Sequence, residues 1–177
     1  MVVGINLLVF GPLTISFALI VDEMNGSAVQ LSMLEAALAT GTLSATILLL
    51  FIHLRKRRGQ WVLSFFFFAI TLFVAFSQTN SFSMLLILVG LIGLFHFLIF
   101  LPIVTMIQEQ TEEHKMGRVM SIVSLAASGL EPLSYACISL LMTAGYSIRA
   151  LLLASGIGCF MMAVLILIKG KRFRNME

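Results

Sequence analysis

The chain has 177 residues, 60% apolar and only 11% charged, with a mean hydropathy of +1.08. A water-soluble domain of this length needs far more polar surface, so the solvent for this chain is lipid. The net charge of +3 says less than the placement of the charges, and no GxGxxG, P-loop, Ser-His-Asp grouping or nucleic-acid signature is present.

Met1 runs directly into VVGINLLVFGP, with no basic leader and no small-residue cleavage site. That argues against a cleaved signal peptide, and the expectation is that a cytosolic lead-in is missing. Six apolar segments follow, at 2–21, 29–53, 61–77, 82–107, 118–142 and 148–168. Each is long enough to cross roughly 30 Å of hydrocarbon at about 1.5 Å per residue. Backbone in lipid must satisfy its own hydrogen bonds, and the short alternating segments of a barrel are absent, so the fold class is all-α integral membrane, a single six-helix bundle.

Lysine and arginine set the orientation. With Met1 in the cytosol, the inner loops hold Arg55, Lys56, Arg57, Arg58, Lys115 and Arg118, and the inner tail holds Lys169, Lys171, Arg172 and Arg174. Only Arg149 is left outside, which places both termini in the cytosol. Cys137 and Cys159 sit in apolar runs and read as small buried hydrophobes. His53, His96 and His114 lack ligand spacing, so no metal, no cofactor and no enzymatic constellation is expected.

The polar residues inside the segments are unevenly distributed. The third and sixth helices have no ionisable residue in their interiors, and the Phe65–Phe68 run of the third suits a helix facing lipid on most sides. Trp61 at its inner end reads as an interfacial anchor. The first, second, fourth and fifth helices hold Asn6, Glu35, His96 and Glu131, the candidates for proton coupling or substrate contact. Glu35 and Glu131 both fall in the outer half of the bilayer, roughly 10 Å below the surface. A carboxylate facing lipid there costs on the order of 3 kcal/mol, so each must face the bundle or water, be paired, or be protonated. The plainer alternative is a carboxyl that only holds helices together. His96 reads first as an interhelical hydrogen-bonding group.

Glu131 ranks above Glu35 because Pro132 follows it. Proline cannot bond the carbonyl four residues earlier, here Ser128, which predicts a kink with Gly129 and a free carbonyl beside an ionisable group. Small residues recur at Ala37, Gly41 and Ala45 and at Ser124 and Ser128. Such rows admit another helix, either from within the bundle or from a partner.

The stretch from Leu101 to Pro132 carries P-x-x-T-x-I-Q from Pro102 to Gln108, then G-R-V-x-S from Gly117 to Ser121. It resembles the loop between helices ten and eleven of major facilitator transporters, most of all the drug, macrolide and siderophore exporters. The resemblance implies that this chain is the C-terminal half of a twelve-helix fold in the cell membrane. The helices equivalent to its first, second, fourth and fifth would line a central cavity, while the third and sixth would stay outside. It further implies export of a small, amphipathic solute, coupled to protons, with an N-terminal six-helix half or a second copy as partner. The family's basic loop corresponds here to His53–Gly59, where Arg55, Arg57 and Arg58 survive and the aspartate does not. As bare physics these charges set topology and attract anionic headgroups. In the other loop, Gly117 would permit the chain break, Arg118 would latch onto Glu109, Glu112 or Glu113, and Gln108 would cap the fourth helix. The family more often has an apolar or small residue at the Glu131 position, so the proton role rests on the residue's chemistry alone. The competing class is a six-helix structural or interaction subunit with no transport of its own.

Overall fold

The computed structural model describes residues 9–51, 58–129 and 131–169, without the side chains of 58–60 and 166–169. All regular structure among them is helical: α1 Gly11–Glu23, α2 Ala28–Phe51, α3 Arg58–Gln78, α4 Phe82–Glu109, a single 3-10 turn at Glu113–Lys115, α5 Met116–Ser128, α6 Glu131–Thr143 and α7 Ile148–Lys169. Five stretches are long and apolar enough to cross a membrane: Ala28–Phe51, Trp61–Gln78, Phe82–Glu109, Glu113–Thr143 and Ile148–Leu165.

Two of the connecting turns are built alike. After α1, Asn25 takes φ 50° and its N–H bonds Asp22 O while Gly26 N–H bonds Val21 O. After α6, Gly145 takes φ 93°, its N–H bonds Met142 O, and Tyr146 N–H bonds Leu141 O. Both are Schellman turns, in which a left-handed residue lets the chain satisfy the last carbonyls of a helix. Each is followed by a serine opening the next helix. The Gln30 side chain accepts from Ser27 N–H at 3.1 Å, and Ser147 Oγ accepts from Ala150 N–H at 3.3 Å. Arg149 Nε lies 3.5 Å from Glu23 Oε2, tying these two turns together.

Glycine brings α2 and α4 into backbone contact. A Cβ at Gly41 would fall on the carbonyl oxygen of Gly90, and one at Gly93 would lie 2.6 Å from Leu38 O. The Ala37–Gly41–Ala45 row is therefore filled from within the chain, by α4. From α4 the packing continues to α3 and then α7, around buried Phe66, Phe73, Phe76, Val89, Ile92, Leu152 and Cys159. On the other side, α1 touches α2, α6 and α7.

This arrangement corrects the expectation for the third span. Its phenylalanines are not spread toward lipid on most sides: Phe66 is 1% exposed, Phe73 is fully buried, and Phe68 points outward. More of α3 is buried than of any other described span, and least of α2 and of the α5–α6 stretch. The reason is position, since α3 is held between α4 and α7. By contrast α5 packs little, and Val123 is its one buried residue.

Candidate functional site

Polar groups gather at two interruptions of regular α-helix geometry among the described residues. The first is a π turn at Val9–Phe10, directly before Gly11 and Pro12. Proline is tolerated there because the first turn of a helix has no partner for its N–H. The second separates α5 from α6. The fifth span was expected as one kinked helix; among the described residues α5 runs to Ser128 with Gly129 as its cap and α6 runs from Glu131, both within the single membrane-length stretch Glu113–Thr143. Pro132 stands in the first turn of α6, where its missing N–H is tolerated. Glu131 sits at the positive end of the α6 dipole.

From Glu131 a chain of oxygens crosses to α1. Tyr135, one turn along α6, has its Oη 3.4 Å from Glu131 Oε2. The same Oη lies 2.9 Å from Thr14 Oγ1. Thr14 in turn reaches back along α1 to Phe10 O at 3.0 Å and Gly11 O at 3.1 Å, the carbonyls of the first interruption. Gly11 is buried, and Phe10, Thr14, Tyr135 and Glu131 are all partly buried.

Phe10 connects this chain to His96. Its ring stacks on the imidazole with centroids 4.2 Å apart, and the Phe100 ring lies nearly parallel to it at 6.1 Å. Both ring nitrogens of His96 are buried without a hydrogen-bond partner among the described residues. The expected interhelical hydrogen bond is thus replaced by an aromatic stack between α4 and the start of α1. An open cleft of about 350 Å³ lies between α1, α6 and α7, lined by Pro12, Leu133, Cys137, Ile138, Leu151 and Ser155. Cys159 is buried as expected, but Cys137 is exposed and lines this cleft.

The other candidates stand apart. Glu35 is exposed on α2 and bonds no group among the described residues. Asn6, Arg55 and Arg57 lie outside the described residues, as does the side chain of Arg58. Three loop expectations change. Gln108 is not the cap of α4; that position belongs to Gln110, and Gln108 Nε2 approaches Met120 Sδ of α5 at 3.6 Å. Gly117 does not make the break: it lies inside α5, where an added Cβ would meet nothing within 4 Å. The chain turns earlier, at Thr111–Glu112. Arg118 is exposed and makes no ion pair among the described residues, whereas Glu112 binds Lys115 at 2.7 Å and His114 at 3.5 Å.

Sequence reasoning passed over Tyr135 and Thr14. The four-residue spacing of Glu131 and Tyr135, one face of one helix, was a usable signal; the pairing with Thr14, 121 residues away, was not. No curated protein and no solved structure matches the sequence at a significant level. A sequence model of the Major Facilitator Superfamily matches residues 1–175. With nearly the whole length matched, and an all-helical, lipid-compatible fold built around two interrupted helices, the chain belongs to the Major Facilitator Superfamily of membrane transporters.

Proposed function

We propose that this chain is the C-terminal half of a twelve-helix exporter in the plasma membrane, with both termini cytosolic, moving a small amphipathic solute outward in exchange for protons. One observation carries the reading. The helices with the most open faces, α2 and α5–α6, are the ones that carry membrane-depth carboxyls and rows of hydroxyls. Glu35, Thr40 and Ser44 are exposed on α2, and Ser121, Ser124 and Ser128 on α5. Hydrocarbon is a poor neighbour for such faces, whereas the wall of a hydrated cavity, closed by a second half, is a good one. The Ser124 and Ser128 row, left open here, would meet that second half, supplied by an N-terminal six-helix partner or by another copy of the chain.

In this reading Glu131 takes up and releases the coupling proton. It stands at a helix interruption, partly open, with a hydroxyl beside it to share the proton. The test is efflux of an amphipathic dye from proteoliposomes under an imposed proton gradient. The chain reconstituted together with an N-terminal half should export, and the chain alone should not. Robust proton-driven efflux from strictly monomeric chain would rule the proposal out.

A further inference from the structure

The chain of oxygens from Glu131 to the α1 backbone is short of one proton unless Glu131 supplies it. It has three links: Glu131 Oε2 to Tyr135 Oη at 3.4 Å, Tyr135 Oη to Thr14 Oγ1 at 2.9 Å, and Thr14 Oγ1 shared between Phe10 O at 3.0 Å and Gly11 O at 3.1 Å. Each hydroxyl has one proton to donate, and a carbonyl has none. Two hydroxyl protons cannot fill three links. With Glu131 protonated the chain is complete and points one way: Glu131 donates to Tyr135, Tyr135 to Thr14, and Thr14 to the α1 carbonyls. With Glu131 ionised one link must go. A carboxylate is the strongest acceptor of the set, so Tyr135 turns to Glu131 and Thr14 turns to Tyr135. The link that is lost is the one to Phe10 O and Gly11 O.

We propose that Tyr135 and Thr14 form a hydroxyl relay that reverses direction when Glu131 loses its proton, releasing the backbone carbonyls at the α1 interruption. The relay rests on Glu131 being the coupling site and adds what that proton acts on. The consequence falls at the start of α1, where a π turn meets Gly11-Pro12 and the proline has no N–H to give to the preceding turn. It also falls on Phe10, whose ring covers His96 of α4, so a change at Phe10 is felt by a third helix. Few other charges surround the site. On the elements packed against α6, the titratable groups are Asp22 and Glu23 of α1 and Arg149, Cys159 and Lys169 of α7. Glu23 is engaged by Arg149, Cys137 on α6 lines the cleft toward α7, and His96 is covered by the Phe10 ring.

The chain has two tyrosines, so Tyr146→Phe leaves Tyr135 as the only phenol, and its Raman doublet in lipid nanodiscs reads hydrogen bonding at this oxygen alone. Infrared difference spectra of the same sample follow the Glu131 carboxyl band, identified by its loss in Glu131→Gln. As the pH is raised across the range in which the protein stays folded, the doublet should move toward a strongly donating phenol as that band disappears. Thr14→Val should shrink the movement, because Tyr135 then has Glu131 as its partner in both states. A doublet that stays still while the carboxyl band is lost overturns the relay and leaves proton coupling standing. A carboxyl band unchanged over the whole range overturns the coupling role of Glu131 and the relay together.

Discussion

Thr14 Oγ1 and Tyr135 Oη lie 2.9 Å apart, joining α1 to α6 across 121 residues of chain. This contact makes two helix interruptions into one site, because Thr14 is bonded to the carbonyls of the first and Tyr135 to the glutamate that opens the second. Each sits between a carboxyl and a backbone that a transporter would have to move.

Exchange of Glu131 for glutamine keeps the shape and fixes the group neutral. In the assembled transporter Glu131→Gln should abolish proton-driven efflux with expression and substrate binding largely intact, and Glu131→Asp should keep part of the activity with a shifted pH optimum. Dye efflux and equilibrium binding, measured side by side, check this. Normal efflux by the glutamine variant would end the coupling role and move attention to Glu35.

His96 is predicted to hold the fold back rather than to support it. Its two ring nitrogens are buried with no partner among the described residues, beside the rings of Phe10 and Phe100. A buried polar group left unmatched costs about 1–3 kcal/mol. His96→Phe preserves a ring for stacking and should raise the unfolding midpoint in detergent. A fall in thermal stability would mean that the nitrogens are satisfied in the native membrane.

Glycines 41 and 117 should respond in opposite ways to the same change. At Gly41 an added methyl meets the Gly90 carbonyl, so Gly41→Ala must push α2 away from α4, at about 1–3 kcal/mol for an overpacked contact. At Gly117 the methyl meets nothing within 4 Å and the residue is helical. Gly117→Ala should therefore stabilise, by roughly 0.5–1 kcal/mol. Thermal unfolding of the two variants in one detergent decides the matter, and equal effects would contradict both assignments.

Arginine 149 offers a check on orientation. A single cysteine at Asn25, next to the Glu23–Arg149 pair, should react with an impermeant reagent from outside. One at Gly59 should react only from inside, with Cys137 and Cys159 replaced beforehand. The pair itself is partly exposed, and such pairs contribute at most about 1 kcal/mol, so Arg149→Ala should leave stability nearly unchanged. The reverse labelling pattern would sink the topology.

Composition alone determined the class of this protein. An apolar chain with most of its charges between its apolar runs has to be a membrane protein, and backbone chemistry in lipid leaves it no choice but helix. The carboxyl at position 131 and its proline were also legible, because an ionisable group at that depth is costly whatever surrounds it. Which helix touches which was not legible. In water an apolar face announces that it is buried, but in lipid a face against hydrocarbon and a face against another helix are equally apolar. Hence the Phe65–Phe68 run read as a lipid face while α3 lies between α4 and α7, and the Gly41 row read equally well as a partner's seat or an internal one. The same ambiguity hid Thr14: a lone hydroxyl in an apolar helix ordinarily bonds its own backbone, as this one does. Only the packing of α1 against α6 could bring Tyr135 to the same oxygen, and packing in lipid is set by shape rather than by polarity.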